Sequence, residues 1–258
     1  MKVKTRGRVG VGACCAVLLL AACSNSPIEP ETSRSDNAAA LNAQLGIEYL
    51  RQGNLAIAKE KLERAEKQNP RDPNVHSALA LLYERLGKPQ EVDEHYRTAV
   101  RLAPQNPDIS NNYAVYLCKT GRIEEGVRRF LAAARNPLYN TPEVAYTNAG
   151  VCQRTAKRFE EANVNFKRAL QIRPNFAEAA YQLGDLQFDQ GKVGDARAQV
   201  DQYLASFSPT PDLLLLGVRV ASAAGDRLAA LKFARRLQLE FPDSQQTRAL
   251  PNLSRNPG

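Results

Sequence analysis

A spacing of 34 residues recurs along this chain and restricts its fold more than any other feature. With Ala39 taken as position 1, Leu45 and Gly46 stand at positions 7 and 8, Tyr49 at 11, Ala58 at 20, Leu62 at 24, Ala65 at 27 and Pro70 at 32. One period on, Leu79, Ala80, Tyr83, Val92, Tyr96, Ala99 and Pro104 fill the same places. A third unit, from Pro107, has Tyr113, Ala114, Leu117, Gly126, Phe130 and Ala133. Its last turn, NPLYNTP, carries two extra residues, so the fourth unit starts at Glu143 and shows Ala149, Gly150, Ala162, Phe166, Ala169 and Pro174. From Ala177 the register returns with Leu183, Gly184 and Ala196, although Tyr203 replaces the expected Ala. From Pro211 it keeps Gly217, Ala230 and Pro242 behind a more apolar first segment, LLLLGVRV.

The physics of such a unit is a pair of antiparallel helices. Small residues at positions 8 and 20 let the two backbones approach, large ones at 11 and 24 fill the space between them, and proline after the second helix stops it. This is the tetratricopeptide pattern. Each hairpin leaves a flank that only a neighbour can cover, so the units stack. The expected fold is all-α, a right-handed superhelical solenoid of about six helix-turn-helix repeats over 39–72, 73–106, 107–142, 143–176, 177–210 and 211–244.

The two ends read differently. Residues 1–22 have the order of an export signal, with Lys2, Lys4, Arg6 and Arg8 followed by an apolar run from Val11 to Ala22 that is too short to span a bilayer. The run ends Leu20-Ala21-Ala22-Cys23, which resembles the bacterial lipobox and makes Cys23 the expected lipidated N-terminus. Ser24 follows, where lipoproteins kept in the inner membrane typically have Asp, so the expected address is the periplasmic face of the outer membrane. Residues 23–38 are polar with two prolines and read as a flexible tether; 245–258 reads as a loose tail.

The chemistry of the chain points away from catalysis. His76 and His95, the only histidines, sit at positions 4 and 23 of one repeat, where packing accounts for them. No phosphate loop, nucleophile motif or closely spaced metal set is present, so no cofactor, metal or small-molecule substrate is expected. The formal net charge of +8 owes four charges to the signal, and the remaining Lys and Arg alternate with acids as on a solvated face, which disfavours nucleic acid. With Cys14 and Cys15 in the signal, Cys118 and Cys152 remain. They could pair in an oxidising compartment or serve as two buried small residues. The Cα separation decides between these, and the sequence leans to the second.

The first helices of the hairpins should line a concave face through positions 2, 5, 6, 9, 12 and 13. Position 6 carries Gln44, Asn112, Asn148 and Gln182, carboxamides able to bond an extended peptide backbone, with Asn112 and Asn148 as the stronger pair. Ile47, Leu50, Leu81 and Val115 at positions 9 and 12 make an apolar floor at the N-terminal end, suited to an amphipathic helix.

A lipobox, a short tether, six repeats, Asn111-Asn112-Tyr113 in the third and LLLLGVRVASAAGDRLAA in the sixth together resemble the PilF/PilW family, the pilotin lipoproteins of type IV pilus assembly. The resemblance implies a protein that binds secretin subunits through the groove of its early repeats and brings them to the outer membrane. An alternative of another class is a static scaffold lipoprotein that joins other envelope proteins.

Overall fold

Small and large residues at fixed intervals along the chain become helix pairs in space. The computed structural model describes residues 31–255, with side chains from 37 to 250. The hairpins are α1 (Glu31–Arg51) with α2 (Leu55–Gln68), α3 (Pro73–Arg85) with α4 (Pro89–Leu102), and α5 (Pro107–Lys119) with α6 (Ile123–Arg135). They continue with α7 (Pro142–Thr155) and α8 (Phe159–Ile172), α9 (Ala177–Asp189) and α10 (Val193–Ser206), then α11 (Pro211–Ala223) and α12 (Arg227–Glu240). A last helix, α13, covers Gln245–Arg255, and the described residues contain no strand.

Each odd-numbered helix from α1 to α11 packs on its even-numbered partner and its backbone comes close to that of the next odd-numbered helix, whereas the backbones of successive even-numbered helices, from α2 to α12, stay farther apart. The stack therefore curves with α1, α3, α5, α7, α9 and α11 on the inner wall. No helix among the described residues is long and apolar enough to cross a membrane.

Local chemistry sets the helix ends. Asp72, Asn106 and Thr210 cap α3, α5 and α11 through their side chains, each just before a proline at the first helical position, where a missing N–H costs nothing. The odd-numbered helices end at position 15 of each repeat in a left-handed residue: Gly53, Gly87, Gly121, Gly191 and Gly225 have φ between 68° and 80°. At Gly121 the N–H donates to Cys118 at 3.2 Å and the following Arg122 N–H to Leu117 at 2.8 Å, a Schellman closure repeated along the chain. The fourth repeat has Lys157 there, at φ 60°, where a Cβ is strained. Lys157→Gly should raise stability by about 1 kcal/mol and the melting temperature by about 2–4 °C. Thermal unfolding of the two proteins checks this, and an unchanged or lower midpoint would count against it.

Inside the hairpins the small positions are occupied to their limit. A Cβ on Gly150 would lie 2.5 Å from the Phe166 ring, which is fully buried. Tyr96 and Phe130 fill the matching space in the two preceding repeats, and Tyr96 stacks on Tyr113 of the third repeat at 5.1 Å. At the junction of repeats 2 and 3, Asp93 accepts hydrogen bonds of 2.6 Å from the Tyr113 hydroxyl and from Arg122. Burial works against the charge on Asp93, but these two donors hold its carboxyl below the usual range. The two extra residues after α6 form a turn in which Tyr139 is buried against Ala133, Ala134 and Ala145.

Both ends depart from the sequence expectation. α1 starts at Glu31, so the last part of the expected tether, 31–38, is helical; past Pro30 no proline or glycine interrupts it. The expected loose tail is α13, which packs on α11 and α12. Leu250 is buried with Leu213, Leu214 and Leu237, and Gln246 donates to Asp212 at 2.6 Å. The apolar flank of the sixth repeat has no seventh hairpin to cover it among the described residues, and α13 takes that place. Cys23 lies outside the described residues.

Candidate functional site

The inner wall carries two different surfaces. Over α1, α3 and α5 it opens into a concavity of about 610 Å³, whose floor includes Ile47, Leu50, Ala78, Leu81 and Ile109. Asn74, Ser77 and Asn112 add polar groups, and Arg51, Glu84 and Lys119 stand at the rim. Lys119 and Glu84 pair at 2.8 Å. Leu81 is 37% exposed, an uncovered leucine on a concave face.

The sequence-derived floor residues do not share one role. Ile47, Leu50, Leu81 and Asn112 meet in this concavity, but Leu50 is only 7% exposed and belongs to the core with Leu62, Leu79 and Tyr83. Val115 lies outside the concavity lining and packs with Ala114, Val127 and Cys118. Gln44 stands exposed outside the lining. The carboxamide pair also differs from expectation: Asn148 donates to Asn111 at 3.4 Å, not to Asn112. Gln182 already bonds Arg154 at 3.1 Å and Glu178 at 2.9 Å, so the row of carboxamides is interrupted by internal partners.

Over α7, α9 and α11 the wall is occupied by its own charges. Asp185, largely buried on α9, accepts 2.7 Å bonds from Arg154 of α7 and Arg219 of α11. Arg154 also binds Asp189, and Arg219 lies over the Phe188 ring at 4.8 Å. A guest would have to displace these pairs, so the open half is the early one. The sequence carried the signal, opposite charges at groove positions of three successive repeats, but only the fold shows that they meet.

Cys118 and Cys152 form a disulfide, against the leaning of the sequence toward two free thiols. Stacking brings α5 beside α7 with these Cα atoms 5.6 Å apart, inside the range a disulfide spans. The pair fastens the third and fourth repeats at the boundary between the open and the ion-paired halves.

A second cluster escaped the sequence reading. His76 and His95, expected as packing residues, bring their Nδ1 atoms to 3.1 Å, and Glu66 lies beside both. Burial holds the His95 imidazole below its ordinary range, against the opposing pull of Glu66.

Comparison with known proteins agrees with this architecture. Two tetratricopeptide-repeat family models match residues 44–107 and 154–216. The type IV pilus assembly protein PilF of Pseudomonas aeruginosa is 29% identical over 219 residues, covering 85% of this chain and 86% of its own length. The solved structure of P. aeruginosa PilF superposes with a TM-score of 0.67 at 28% identity, over 85% of this chain and 99% of the other. PilW, described as a widely conserved type IV pilus biogenesis factor, superposes with a TM-score of 0.68 at 30% identity, over 82% of this chain and 97% of the other. With its six hairpins and a groove open at one end, the chain belongs to the PilF/PilW family of tetratricopeptide-repeat proteins.

Proposed function

We propose that this protein is a pilotin: an outer-membrane lipoprotein, lipidated on Cys23 and facing the periplasm, that binds secretin subunits and promotes their localisation and assembly in type IV pilus biogenesis. The open apolar floor over α1, α3 and α5 carries the proposal, because it is the stretch of the groove nearest the lipid end and the one not filled by internal ion pairs. An amphipathic helix of the secretin fits such a surface, placing leucine-sized side chains against Leu81 and Ile47 and polar ones toward Asn112 and the rim charges. The solenoid fold and its relatives support protein interaction in place of catalysis. Acyl chains on Cys23 supply membrane affinity and the groove supplies grip.

Leu81→Glu should weaken capture of secretin subunits at least tenfold, since a carboxylate would have to be buried against an apolar face. Leu81 is exposed enough that helicity should stay unchanged. Leu50→Glu is the poorer test, because it would charge the core. Pull-down of secretin and circular dichroism read the two effects, and undiminished capture would remove the groove from the mechanism. Envelope fractionation tests the rest: deletion of the gene should leave the secretin unassembled, and Cys23→Ala should release the protein into the periplasm. Normal secretin rings in the deletion strain would favour a scaffold instead.

A further inference from the structure

We propose that Glu66, His76 and His95 form a binding site for a divalent transition-metal ion of the zinc class, which ties the second helix of the first repeat to both helices of the second. Glu66 comes from the last turn of α2, His76 from α3 and His95 from α4. The two Nδ1 atoms are 3.1 Å apart, and Glu66 Oε1 is 3.6 Å from His76 Nδ1 and 3.9 Å from His95 Nδ1. A point equidistant from the corners of that triangle lies about 2.1 Å from each, and Zn–N and Zn–O bonds are ~2.0–2.2 Å long. Three side chains from three helices thus already stand where an ion would hold them.

The tautomer of His76 is fixed. Its Nε2 lies 3.0 Å from the Pro70 carbonyl oxygen, which can only accept, so Nε2 carries the hydrogen and Nδ1 carries the lone pair. Such a bond from the far nitrogen to a backbone carbonyl is the usual support of a metal-bound imidazole. His95 is held in place by stacking on the Tyr83 ring, at 5.3 Å between centroids and 12° between planes. Without an ion, His95 Nδ1–H would donate to His76 Nδ1; an ion takes the place of that hydrogen, which moves to His95 Nε2.

Burial favours the same reading. The side chains of His76 and His95 are 8% and 14% exposed and that of Glu66 33%, so the site is shielded on the histidine side and reaches solvent beside the carboxylate. Three protein ligands leave a fourth position for water there. Two imidazoles and one carboxylate suit zinc, copper or nickel, not magnesium or calcium, which prefer all-oxygen shells. None of the three residues lines the groove, but Asn74, Ser77 and Ala78 of the same helix as His76 do, so the ion would steady one wall of it.

The test uses the full-length oxidised protein in detergent, stripped with a chelator and titrated with ZnCl2 by calorimetry in millimolar Mg²⁺. One Zn²⁺ per chain is expected, with micromolar or tighter affinity and a raised melting temperature. Glu66→Gln, which keeps the shape, should weaken binding about tenfold, and His95→Gln about 100-fold or more. X-ray absorption of the loaded protein should show two imidazole nitrogens. Absence of zinc binding below ~100 µM, or wild-type affinity in both variants, would leave only a hydrogen-bonded histidine pair and overturn the proposal. Circular dichroism of the variants separates lost binding from lost fold.

Discussion

Removing the disulfide should cost about 3–4 kcal/mol of stability, the largest effect expected from one bond in this chain. The Cys118–Cys152 link closes a loop of 34 residues, and in the chain-entropy account a loop of that size restrains the unfolded chain by this amount. Native packing adds to it. A Cβ on Gly126 would lie 2.5 Å from Cys118 Sγ, so the sulfur fills space that the small residue at position 20 leaves open. Urea unfolding of Cys152→Ala, and of the wild type with and without reductant, reads the effect. A loss below about 1 kcal/mol in both experiments would mean that stacking alone holds the third repeat to the fourth. Because thiols stay reduced in the cytosol, the full stability belongs to an oxidising compartment.

Asp185→Ala should come next, at about 2–3 kcal/mol. The substitution leaves the partly shielded guanidinium of Arg219 on α11 without its carboxylate, and that of Arg154 on α7 with only Asp189 and Gln182. Breaking such a pair costs more than the pair contributes, because the remaining charges stay desolvated. The value is set below that of a fully buried pair because Arg154 and Arg219 are 21% and 31% exposed. The damage should be local, since units of a solenoid are stabilised by their neighbours. Amide hydrogen exchange should accelerate in α9, α11 and α13 and stay unchanged in α1 to α4. Uniform acceleration along the chain would refute a local role.

The repeats were legible because a packing rule recurs at fixed intervals: the pairing of Gly150 with Phe166 is a contact that the spacing of positions 8 and 24 implies before any coordinates exist. Glycine at position 15 in five of six repeats was not read as a helix stop, because its meaning needs the helix end around it. Groove residues were harder. Position 9 brought Leu81 to the open face, while Leu50 at position 12 turned out to be core, because Leu62, Leu79 and Tyr83 close around it. Contacts between repeats were legible at most as open alternatives, as with the two cysteines. Glu66, His76 and His95, Asp185 with its two arginines, and Cys118 with Cys152 are joined by the stacking rotation, which periodicity does not contain. The helical tail was misjudged on composition, since few apolar residues suffice when, like Leu250, they meet an uncovered flank.

The change from an open to an ion-paired wall at the disulfide also sets a ruler for what can dock. Three adjacent helices with axes 8–10 Å apart offer about 20–25 Å of accessible floor before Arg154 blocks the way. At 1.5 Å per residue, that seats a helix of about 13–17 residues. Under the proposed function, any guest segment longer than this must bend, leave the groove or overhang its N-terminal end, so the groove would select a guest by length as well as by polarity.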